Sequence, residues 1–118
     1  MPKYLLSAFQ DEKRSPMPPP DEVPDVMERV ANHQEELKAA GVWLFSGVLT
    51  PAESATVVQS NGQKTSMTDG PYIEAKEQIG GFTAIEVNDL DEALEWARTG
   101  SQACGWPVEV RPFIEAPA

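Results

Sequence analysis

His33 is the one histidine of the chain, and imidazole is the one side chain whose ordinary pKa lies near neutrality. Counting about 100° per residue on a helix, Gln34 falls near the centre of the stripe Val23, Val30 and Leu37. His33 stands about 80° off that centre, beside Val26, Leu37 and Ala40. At such a margin an imidazole either looks into a cleft, where it can bind or move a proton, or makes a structural hydrogen bond. Gln34, once buried, needs partners for its amide, which backbone or water ordinarily supplies.

A second concentration of chemistry lies in residues 68–82, where three glycines, one proline and four charged side chains stand between two strand-like runs. Glycine permits backbone angles that other residues resist, and proline fixes its own angle and extends the residue before it, so this segment specifies a rigid shape. Asp69 has two readings: it caps the turn into Gly70-Pro71 through backbone N–H groups, or it is a carboxylate at a pocket mouth that orients a ligand or partners an imidazole. Glu74, Lys76 and Glu77 are either a solvated cluster or, for Glu74 and Lys76 first, ligand contacts. Glu109 and Arg111 share one face of the last strand; they form an ordinary ion pair, or Arg111 anchors a carboxylate or enolate.

Other chemistries are excluded. One histidine and one cysteine, Cys104, cannot make an ordinary zinc site or a disulfide within the chain. Gly80-Gly81 leads into a strand pattern and not a phosphate loop, and Ser46-Gly47 lacks the surroundings of a nucleophile elbow. No cofactor has a visible attachment point, so neither a metal nor a cofactor is expected.

The elements that must position these residues follow from periodicity and punctuation. Residues 3–9 read as a strand, and residues 11–20, with four prolines, as a mobile loop. Residues 24–40 read as a helix stopped by Gly41. Residues 42–49 read as a strand apolar on both faces, with Trp43 and Phe45 on one side and Val42 and Leu44 on the other. Asn61-Gly62 predicts a tight hairpin between residues 56–59 and 64–68. A strand over 82–87 precedes a helix opened by Asp89 and Glu92 and ended by Gly100, and a last strand over 108–113 finishes at an edge marked by Pro112. Crossover handedness places both helices on one sheet face, so the other face needs cover, which a homodimer packed sheet against sheet provides.

The chain has 118 residues, 41% of them apolar, enough for a single core spanning 1–118. A net charge of −10 disfavours nucleic acid and anionic membranes as partners. With no signal-like start and no long apolar run, a soluble, cytoplasmic protein is expected.

The run Thr68-Asp69-Gly70-Pro71-Tyr72 through Phe82 resembles the signature of the YCII-related proteins, in their Asp-Gly-Pro-Phe (DGPF) branch, with Tyr72 replacing the phenylalanine. The resemblance continues in Lys3–Leu6, Glu35–Gly41, Asp89–Ala97 and Val108–Phe113. It implies a ferredoxin-like α+β domain, βαβ-hairpin-βαβ, with an antiparallel sheet, that pairs into a dimeric α+β barrel with a small-molecule site. Relatives that use a histidine and an aspartate in lyase-type or dehydrochlorinase-type chemistry carry that histidine earlier on the first helix, at a position nearest Val30 here. His33 stands three residues later.

Two functions follow as expectations: binding of a small organic molecule beside the Asp-Gly-Pro-Tyr loop, or cofactor-independent acid–base catalysis on one. The expected site is His33 and Asp69 for proton transfer, with Gly70, Pro71, Glu74, Lys76 and Arg111 as ligand contacts.

Overall fold

A computed structural model describes residues 1–72 and 75–115. In chain order the elements are β1 (Lys3–Asp11), α1 (Val23–Ala39), β2 (Trp43–Val48), a 3-10 turn (Ala52–Ser54), β3 (Thr56–Ser60), β4 (Thr65–Asp69), β5 (Glu77–Glu86), α2 (Leu90–Cys104) and β6 (Val108–Pro112). One antiparallel sheet has the order β2-β5-β1-β6, and β3 and β4 pair separately as a hairpin arm. This is the ferredoxin-like α+β arrangement, with β6 at an edge, where Pro112 withholds no needed donor.

The register decides which residues face the helices. Tyr4 pairs with Ile85 and Pro112, and Leu6 with Thr83 and Val110, so these share one face. On that face the core gathers Tyr4, Leu6 and Ile85 against Leu37 of α1 and Ala93 and Ala97 of α2. Leu37, at 1% exposure, is the pivot of α1, and its truncation to alanine would cost about 2–5 kcal/mol. Towards its N-terminus α1 stands off the sheet: Val23, Val26 and Val30 are half-buried although they continue the same stripe.

Trp43 and Phe45 do not share a face. A bulge between them lets Trp43 oppose Ile85 while Phe45 opposes Ala84, so Trp43 packs on the core and Phe45 turns to the other face. Period-two alternation fails here because the extra residue, Leu44, resets it. Phe45 is 58% exposed and tilts against Phe82 with centroids 5.6 Å apart.

The second helix does not end at Gly100 but runs to Cys104, and Gly105, at φ 80°, makes the left-handed stop. Gly100 is instead a packing glycine, since a Cβ there would lie 3.2 Å from His33 Cε1. The strand expected from Phe82 begins earlier, at Glu77, because β1 is long enough to pair Phe9, Gln10 and Asp11 with Ile79, Gln78 and Glu77. Gly80-Gly81 therefore lies inside a strand, beside an irregularity in the β1–β5 register. The loop after β1 is pinned: Asp11 and Ser15 exchange backbone bonds and are buried, and the Asp11 carboxylate accepts from Lys13 N at 2.8 Å. In the hairpin Gly62 alone among residues 61–64 has positive φ, and Asn61 Oδ1 accepts from Gln63 N and Lys64 N.

Candidate functional site

The stand-off of α1 opens a cleft of about 390 Å³ between α1, the C-terminal half of α2 and the helix-covered sheet face. Its walls are mainly apolar, among them Leu6, Val26, Val30, Trp106 and Val108. Trp106 seats where Gly80 leaves room: a Cβ on Gly80 would come within 2.4 Å of Trp106 Cζ3. Its indole N–H donates to the Pro16 carbonyl at 3.1 Å, which ties the loop after β1 across the cleft's mouth.

The polar groups of the cleft come chiefly from adjacent residues of α1. His33 Nε2 lies 2.9 Å from Thr99 Oγ1, and its ring meets Trp96 edge-on at 5.9 Å. Burial holds its pKa below the ordinary 6.5, against the opposing pull of the Trp96 carbonyl and of Glu36. Burial thus favours the uncharged imidazole. Gln34 Oε1 accepts from Ser46 Oγ at 2.6 Å, and Ser46 Oγ accepts from Trp43 Nε1 at 3.1 Å. The stripe-centre position of Gln34 signalled a buried amide needing a partner, and that partner is a side-chain hydroxyl on β2.

The other expected site residues lie elsewhere. Asp69 ends β4, exposed on the hairpin arm and paired across it with Thr56. His33 and Asp69 share no hydrogen bond and no hollow among the described residues. Gly70, at φ 96°, donates its N–H to the Ala55 carbonyl at 2.7 Å, closing the base of the arm. Pro71 and Lys76 line a second hollow of about 540 Å³ together with Asp11, Lys13 and Pro51. Asp11 is held below the usual carboxylate range first by the Lys13 N–H bond. Glu74 lies outside the described residues. Arg111 pairs with Glu109 at 2.7 Å on the sheet face away from the helices, lining neither hollow.

The two hollows share Met17, Val48, Gly80 and Trp106. The second therefore opens beside the first, with Pro71 of the Asp-Gly-Pro-Tyr loop in its lining. Sequence reasoning missed Thr99, Ser46 and Trp106, because each acts through a contact between distant elements and none sits in a local motif.

A family model for the YCII-related domain matches residues 3–114. The chain is also 32% identical over 112 residues to an uncharacterized protein of Rhizobium meliloti (strain 1021), covering 93% of this chain and 90% of that one.

Proposed function

The chain belongs to the YCII-related family, and from that premise we propose that it binds a small, mostly apolar organic molecule in the cleft beside His33. The observation that carries this reading is the cleft itself: its volume lies in the range of small-molecule sites, its walls are apolar, and a few polar groups converge on it. The position nearest the relatives' helical histidine is Val30, and both Val30 and His33 line this cleft, as neighbours three apart on one helix do. The Asp-Gly-Pro-Tyr loop, with Pro71 and Lys76, forms the outer approach. The working unit is a homodimer that covers the open sheet face around Phe45 and Phe82.

A second reading, acid–base catalysis, is favoured by a half-buried imidazole lining an apolar cavity, where burial favours its uncharged form. Asp69 is not its partner within the protomer; Thr99 holds that place.

Filling the cleft tests the binding reading. A Val30→Trp variant places a large ring where the ligand would sit, so it should keep its circular dichroism spectrum and lose binding of neutral aromatic fragments found by thermal-shift screening. Unchanged fragment binding in a folded Val30→Trp protein would contradict it.

A further inference from the structure

We infer that the cleft recognises a neutral molecule carrying a carbonyl next to an N–H or O–H group, with the Gln34 amide as donor and His33 Nδ1 as acceptor. This deepens the binding reading above and rests on it.

Each group is assigned from the hydrogen bonds that it already makes. Thr99 has a single hydroxyl hydrogen, and its Oγ1 lies 3.1 Å from the Trp96 carbonyl and 3.4 Å from that of Glu95, which can only accept. In the arrangement we infer, that hydrogen sits on a carbonyl and Thr99 Oγ1 accepts from His33, so that Nε2 carries the ring proton. The two ring nitrogens point away from each other, whereas Thr99 Oγ1 and the Trp96 carbonyl are 3.1 Å apart, so both belong to the Nε2 end. Nδ1 is then a lone-pair acceptor, and it has no partner among the described residues.

The same accounting applies to Gln34. Trp43 Nε1 only donates, so Ser46 Oγ accepts from it and directs its own hydrogen to Gln34. The 2.6 Å separation suits an O–H···O bond and is short for N–H···O, which places the amide oxygen at Ser46 and leaves the NH₂ group with no partner among the described residues. One donor and one acceptor thus belong to consecutive residues that both line an apolar cavity with no charged side chain among its described lining residues. An ionised ligand would enter without a counter-charge, while a lactam or an enolised ketone satisfies both groups at once.

The sole histidine makes the first arm direct. Protein labelled with ¹⁵N-histidine, without ligand at about pH 7.5, should give a two-bond ¹H–¹⁵N pattern with Nε2 protonated and Nδ1 bare, and Thr99→Val should convert it to a mixture of tautomers. Protonated Nδ1 in the wild type would overturn the inference and leave the cleft reading intact. The second arm compares 2-quinolone, N-methyl-2-quinolone and naphthalene by fluorescence titration. We expect 2-quinolone to bind roughly tenfold more tightly than the N-methyl compound, the size of one neutral hydrogen bond, and Gln34→Leu to remove its advantage over naphthalene. Equal affinities for all three would refute the donor–acceptor pair and keep the apolar site; no binding of any would refute both.

Discussion

His33 Nε2 and Thr99 Oγ1, 2.9 Å apart, join α1 to α2 beside Gly100, where a Cβ would lie 3.2 Å from the imidazole. The contact holds a polar ring at the margin of the core. There it is dry enough to favour the uncharged form and open enough to line the cleft.

That preference has a pH signature. The folded pKa of His33 lies below its unfolded value of 6.5, so the unfolded chain binds more protons as pH falls through that window. The contribution of His33 to stability is therefore fully present above 6.5 and is lost as pH drops towards the folded pKa. The groups facing the ring are Glu36 on its own helix and the Trp96 carbonyl and Thr99 hydroxyl on α2, with Cys104 lining the same cleft. Urea midpoints measured from about pH 7.5 to 5.5 should fall in the wild type and fall less in His33→Gln. Parallel profiles would show that His33 does not titrate differently on folding.

Gly80 is required by Trp106. Gly80→Ala puts a methyl group within 2.4 Å of Trp106 Cζ3, in a strand where the backbone cannot yield freely. We expect a loss of about 1–3 kcal/mol in chemical denaturation, with release of the Trp106–Pro16 bond seen as a shift in tryptophan emission. An unaltered midpoint would mean that Trp106 is free to move aside.

The open sheet face should be an interface. Phe45 is 58% exposed and tilts against the half-buried Phe82. Light scattering at micromolar concentration should give twice the 12.9 kDa chain mass, and Phe45→Glu should halve it without unfolding the protein. A wild-type monomer would contradict the dimer.

Most of the fold was legible because its signals are local. The stripe ending in Leu37, the Asp89 cap that accepts from Glu92 N, and Pro112 on an edge strand each follow from short-range chemistry. The misreadings came where tertiary contacts override local rules. Gly100 looked like a helix stop and is a packing position for His33; Gly80-Gly81 looked like the end of a loop and lies within β5; Leu44 reset the alternation that would have set Trp43 beside Phe45. The site was half legible. His33 and Gln34 stood out by residue type and by angle on the helix, whereas Thr99 and Ser46, which fix their hydrogen bonds, lie 66 and 12 positions away.

The most direct test of the cleft as a ligand site is the ¹⁵N resonances of the His33 imidazole, followed while a neutral aromatic such as 2-naphthol is titrated in at about pH 7.5. We predict a saturable shift of the His33 nitrogens, accompanied by the Trp106 indole and Val30 methyl signals and absent in Val30→Trp. Binding that saturates elsewhere and leaves the His33, Trp106 and Val30 signals in place would contradict the account.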